Sequence, residues 1–211
     1  MASSLEELTG LLASFLGERS EQSLTATVGV SGRHVHLSQG DLEALFGAGY
    51  ELTPIKNLSQ PGQFASKETV TLVGPKGVIE RVRVLGPVRS QTQVEILAGD
   101  SFKLGVPAMV RMSGKLEGTP GITLAGPKGT VAIPDGVMVA ARHIHMSLAQ
   151  AASMGLRDGQ IVSIAFGGER GGRLDNVAIR ANDSSELDCH IDTEEANALR
   201  ISNGSVVRII K

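Results

Sequence analysis

The sequence predicts a mainly β fold capped by short α-helices. Glycine (26) and proline (8) punctuate a chain rich in Val, Ile and Leu, which suits many short strands joined by tight turns. From Glu68 to Val139 one candidate strand follows another. A unit of strand, histidine, N-cap, short helix, glycine and strand also recurs along the chain. At 211 residues there is enough chain to bury a real core, in one large domain or two small ones.

Composition removes several function classes. A formal net charge of −2, without a basic run interleaved with aromatics, argues against nucleic-acid binding. Aromatic residues are 3% of the chain, so a bound base would find few rings to stack on. The single cysteine, Cys189, excludes an intramolecular disulfide and fits a reducing compartment. No apolar run approaches the roughly 18 residues of a membrane span. With no basic segment leading into an apolar stretch, the expectation is a soluble intracellular protein.

Taken in order, residues 1–22 read as a separate helix, with Leu5, Leu8, Leu11, Leu12, Phe15 and Leu16 at helical spacing and Ser4 and Glu7 as a capping box. Such a helix either packs on its own domain or serves as an amphipathic address for a partner's groove. An apolar strand, Leu24 to Val30, runs into Arg33-His34-Val35-His36. Ser38 then caps a helix with Asp41 three residues on, and Gly47 and Gly49 close it. A polar excursion near 47–67 precedes the strand-rich middle, where 69–73, 78–85, 91–97, 108–112, 122–124 and 137–139 are candidates. Gly-Pro-Lys-Gly at 74–77 and 126–129 reads as two β-turns; neither loop opens a helix, so a phosphate role for Lys76 or Lys128 is disfavoured. After Arg142-His143-Ile144-His145 come a helix capped by Ser147 and Gln150, strands at 160–166, 173–181 and 186–191, a helix capped by Asp192 and Glu195, and a last strand at 205–210.

Four of the five histidines sit in the two His-x-His copies, and residues i and i+2 of a strand share a face. Each copy therefore offers paired imidazole nitrogens of the kind zinc or a similar borderline metal takes. Aligning His145 with His190 also aligns Ser147 with Asp192, Gln150 with Glu195 and Gly159 with Gly204, without a gap. His36 begins the same unit, with Ser38 and Asp41 at the cap positions. Each of these histidines lies two residues before a helix N-terminus, where negative charge is favoured, so a phosphate-type ligand fits better than a cation. Five histidines cannot close two four-ligand sites, so a carboxylate or water must help; Glu95, in an otherwise apolar strand, is the best candidate. Arg89 at that strand's start could fork onto phosphate oxygens, although charged residues at strand ends are usually solvated or paired.

Four segments, Gly29 to Ser38, Ala140 to Ser147, Arg89 to Glu95 and Cys189 to Asp192, occur in an order that resembles the PduL-type phosphotransacylases (phosphate propanoyltransferases) of bacterial microcompartments. The resemblance covers essentially residues 24 to 211 and implies two β-barrels capped by short helices. One barrel is expected from 23–32 plus 141–211, the other from 33–140. The resemblance further implies two zinc ions, one on His34, His36 and Glu95 and the other on His143, His145 and His190, with Arg89 binding phosphate. It implies acyl-CoA and phosphate as substrates, propanoyl-CoA first among them, and acyl phosphate and coenzyme A as products. It tips residues 1–22 towards an address for microcompartment shell or core proteins, placing the enzyme in the microcompartment lumen. A homodimer or higher homo-oligomer is the default expectation.

No protein nucleophile is required for that reaction. Cys189, beside His190 on a strand, points to the opposite face, and Arg33 and Arg142 likewise face away from their histidines as ion-paired supports. Two rivals stand beside this reading. A dizinc hydrolase often carries His-x-His-x-Asp, where this chain has Ser38 or Ser147. A non-catalytic zinc-stabilised scaffold would melt on losing its metal and would ignore Arg89→Ala.

Overall fold

A computed structural model describes residues 24–211. The helix expected at 1–22 lies outside the described residues. Strand β1 (Thr25–Ser31) leads to β2 (His34–His36), α1 (Gln39–Phe46), β3 (Pro54–Asn57), β4 (Phe64–Val73), β5 (Val78–Gly86) and β6 (Gln93–Glu95). Then follow α2 (Asp100–Leu104), β7 (Val110–Arg111), β8 (Ile122–Ala125), β9 (Thr130–Ile133), β10 (Val137–Ala140) and β11 (His143–Met146). The chain ends with α3 (Leu148–Ser153), β12 (Ile161–Phe166), β13 (Gly172–Ala181), β14 (Asp188–Asp192), α4 (Thr193–Leu199) and β15 (Val206–Ile210).

The strands sort into two units. A closed six-stranded barrel runs β1-β14-β11-β13-β12-β15, and a half-barrel sheet runs β7-β10-β6-β2-β5-β4-β8-β9 with β3 paired on β4. Each has its own apolar core. Val28, Ile144, Ile164, Ile179, Ile191 and Val207 fill the barrel, while Val35, Leu42, Leu45, Leu72, Val84, Val94 and Leu124 fill the half-barrel. The period of two explains where the histidines go. Val35 and Ile144, the central residues of the two His-x-His copies, are fully buried in these cores, so the histidines on either side turn the other way.

The chain crosses between units twice, each time over two residues: Gly32-Arg33 joins β1 to β2, and Ala141-Arg142 joins β10 to β11. Both arginines are anchored by acids. Arg33 forks onto Asp100 at 2.7 and 2.8 Å, and Arg142 pairs with Glu195 and donates to the Asp175 carbonyl at 2.7 Å. A His-x-His copy follows each crossing directly, which sets both copies at the seam between the units.

The recurring unit is real at the level of hydrogen bonds. Ser38 caps α1, and Ser147 with Gln150 and Asp192 with Glu195 form complete capping boxes on α3 and α4. The aligned Gly159 and Gly204 both have positive φ, 73° and 81°, a conformation that suits glycine. Both Gly-Pro-Lys-Gly segments are turns, and each satisfies a helix end: Lys76 N–H donates to the Leu104 carbonyl of α2, and Lys128 N–H to the Leu45 carbonyl of α1. Three elements depart from the sequence expectation. The polar excursion holds β3 and the first residues of β4, β9 pairs with β8 across the second turn, and α2 is a short helix where none was expected.

Candidate metal and anion site

A cleft of about 340 Å³ opens at the seam, lined from both units by His34, His36, Glu95 and Arg89 and by His143, His145, His190 and Arg180. The sheet register assembles each set. His34 lies opposite Glu95 where β2 pairs with β6, and His143 lies opposite His190 where β11 pairs with β14. Within each group the candidate ligand atoms all fall within 4.8 Å of one another.

The nitrogen chemistry fits a metal. His34 Nδ1 lies 2.9 Å from the Gly32 carbonyl and His143 Nδ1 lies 2.8 Å from the Ala141 carbonyl, the same brace at each crossing. A ring that donates through Nδ1 keeps its lone pair on Nε2. His34 Nε2 then sits 3.4 Å from a Glu95 carboxylate oxygen, and His143 Nε2 sits 3.1 Å from His145 Nε2. His36 Nδ1 is buried without a hydrogen-bond partner among the described residues. Converging, unspent nitrogens beside a buried carboxylate are a donor set suited to zinc.

Burial keeps most of these rings neutral, the form that ligates a metal. Desolvation first, then the neighbouring imidazoles and arginines, push His36 down to about 3 and His145 to about 3. Desolvation and the adjacent His190 push His143 down to about 4. His34 differs: burial disfavours its charge, but the Glu95 carboxylate outweighs that and raises it. Desolvation opposes the Glu95 charge, and the surrounding histidines more than offset it, holding this carboxyl below the usual carboxylate range.

Arg89 reaches the cleft from the loop before β6. Its N–H donates to the Leu37 carbonyl at 2.9 Å, and its guanidinium donates to Ser113 Oγ at 3.1 Å. Gln93 ties this arm to the carboxylate, since its amide nitrogen donates to Ser113 Oγ at 2.9 Å and to Glu95 at 2.6 Å. Among the described residues neither Arg89 nor Arg180 has an acidic ion-pair partner. Burial, and then the like charge of Arg180, lower Arg89 from its ordinary value. Glu95 shares the cleft and partly offsets that lowering, but it is engaged by His34 and Gln93, so two guanidinium groups without an ion-pair partner among the described residues are able to meet an anion there. Cys189 stays out of it: fully buried in the barrel core, its thiol is pushed up to about 12 by desolvation and by Asp188 and Glu195.

The sequence reading missed Arg180, Gln93, Ser113 and Asp188. Arg180 stands beside His145 through the β11–β13 pairing, a long-range register that no local pattern announces. Asp188 had a local signal, since it lies two residues before His190 on the same face of β14.

Fold and site thus define a mainly β protein whose two sheets meet at a cleft lined by histidines and arginines. The family model described as phosphate propanoyltransferase matches residues 27–202. The chain is 51% identical to the phosphate propanoyltransferase of Rhodopseudomonas palustris, over 96% of this chain and 89% of that protein. It is 56% identical to the one from Thermotoga maritima, over 87% and 88%, and 49% identical to the one from Rhodobacter capsulatus, over 97% and 95%. These likenesses make it an enzyme of the phosphate acyltransferase class. The chain belongs to the phosphate propanoyltransferase family.

Proposed function

We propose that this enzyme moves an acyl group, propanoyl in the first instance, between coenzyme A and inorganic phosphate, with zinc held by His34, His36 and Glu95 and by His143, His145 and His190. The observation that carries this reading is the convergence on one cleft of two ligand clusters and of two arginines with no ion-pair partner among the described residues. When bound, zinc supplies Lewis-acid charge for phosphate and thioester oxygens.

The protein's own residues have separable tasks. Arg89, braced by Ser113, holds phosphate by paired N–H groups, and Arg180 adds positive charge from the opposite unit. Holding phosphate in the cleft converts an encounter between two substrates into a reaction within one complex. A phosphate oxygen attacks the thioester carbonyl carbon, the C–S bond breaks, and coenzyme A leaves as a thiolate that takes a proton from solvent. Cys189 does not carry the acyl group, because its buried thiol faces the core. Leu58, Leu85 and Ala140 supply apolar surface for a short acyl chain. The amphipathic spacing of residues 1–22 supports a role as an address to microcompartment shell or core proteins; deleting them should release the enzyme from purified microcompartments.

The test is Arg89→Ala. The expected result is a raised KM for phosphate with kcat for the acyl substrate less affected and the metal content unchanged. An unchanged KM for phosphate would remove Arg89 from this role and favour hydrolysis or scaffolding.

A further inference from the structure

Asp188 is 6% exposed and shares a face of β14 with His190. Its Oδ2 lies 3.0 Å from His190 Nε2. An ionised carboxylate only accepts hydrogen bonds, so Nε2 must carry a proton, and in the neutral ring, the form that ligates a metal, the lone pair then falls on Nδ1. This is the reverse of His34 and His143, whose Nδ1 atoms are the ones spent on carbonyls. A second observation fixes the ring's place. Gly29 of β1 is in register with His190, and a Cβ there would lie 2.8 Å from Asp188 Oδ2, 2.8 Å from His190 Cδ2 and 3.0 Å from His190 Nε2. The carboxylate and the Cδ2–Nε2 edge of the ring therefore rest on bare backbone. Ser59 Oγ closes the same edge from the half-barrel, 3.5 Å from Nε2.

We propose that Asp188, seated with His190 on Gly29, is the positioning residue that sets the His190 tautomer and so presents Nδ1 as the third nitrogen of the His143, His145 and His190 cluster. The inference rests on the zinc reading of that cluster. A carboxylate behind a ligating histidine raises its basicity and holds its ring, and removing such a partner typically costs 10- to 100-fold in metal affinity.

Two readouts on the full chain test it. In metal-free protein labelled with ¹⁵N-histidine, long-range ¹H–¹⁵N spectra report which nitrogen of each ring is protonated, and the chain has only five histidines to assign. The wild type should show His190 protonated at Nε2, and D188A should lose that preference. Zinc titration against a competing chelator should then show one of two sites weakened roughly 10- to 100-fold in D188A, with the His34, His36 and Glu95 site as an internal control. G29A keeps the carboxylate but fills the seat, and should weaken the same site. If D188A fails to fold, D188L provides a similar-sized side chain with no acceptor for the Nε2–H. An unaltered His190 tautomer, or zinc affinities equal to wild type in a folded Asp188 variant, overturns the proposal. A wild type with the stated tautomer that takes up no zinc would instead overturn the zinc reading and leave the tautomer assignment standing.

Discussion

Burial of imidazoles at the seam ties the site to the stability of the fold. In metal-free protein, His36, His143 and His145 stay neutral down to about 3, 4 and 3, whereas an unfolded chain protonates them near the usual value of about 6.5. Below that value the unfolded state binds more protons, so these groups withdraw stability as pH falls from about 6.5 towards 3–4. Glu95 acts with the same sign at lower pH, because its carboxyl is depressed in the fold and an unfolded carboxyl takes its proton first. His34 opposes them: raised by Glu95, it adds stability in mild acid that is lost as pH rises through its folded value. Three imidazoles and Glu95 against His34 predict a net loss, and urea midpoints of the metal-free protein measured between pH 7 and pH 4 should fall steadily. A flat profile would contradict the buried, neutral rings. Cys189 gives a second residue-scale prediction: C189A should retain phosphate-dependent thiol release, whereas an acyl-carrier role requires its loss. The histidines of the cleft were legible in sequence because they share a residue type, a spacing of two and aligned caps. Arg180 was not, because only the β11–β13 pairing brings it beside His145.

Short elements with complete local chemistry hold the site in place. Ser147 and Asp192 cap helices that follow the histidine strands directly, and S147A and D192A should each cost about 1 kcal/mol in unfolding free energy, read from urea or thermal melts. The Gly-Pro-Lys-Gly turns make a sharper demand. A Cβ on Gly74 would lie 2.2 Å from the Leu104 carbonyl oxygen, which is backbone and cannot swing aside. G74A should therefore destabilise the half-barrel by about 1–3 kcal/mol, as overpacking does. No loss of stability would mean that the turn does not seat on α2. Apolar alternation and turn residues made most strands readable. β3 was hidden because all four of its residues are exposed and carry no alternation. α2 was hidden because five residues are too few for a helical period to show.

The whole molecule is two cores joined at a chemical seam. Besides the two arginine-anchored crossings, Gln60 exchanges hydrogen bonds with both backbone groups of Glu186, at 3.1 and 3.3 Å. Glu194 accepts from the Gly99 N–H at 3.0 Å. Because each unit buries an apolar core of its own, chelation should abolish activity while the far-ultraviolet strand signal persists; the scaffold reading predicts that the same treatment melts the protein. The topology behind this, in which the chain leaves the barrel after β1 and returns only at β11, was legible only through the family resemblance, because no local pattern announces so long-range a pairing. Among the described residues no helix is long and apolar enough to cross a membrane.

The measurement that bears most directly on the central claim is free-thiol release from propanoyl-CoA, with and without phosphate, on a sample whose zinc has been counted. Release is expected to depend on phosphate, in protein carrying two zinc ions per chain. Release that ignores phosphate, or none from folded, zinc-loaded protein across acetyl-, propanoyl- and butanoyl-CoA, would contradict it.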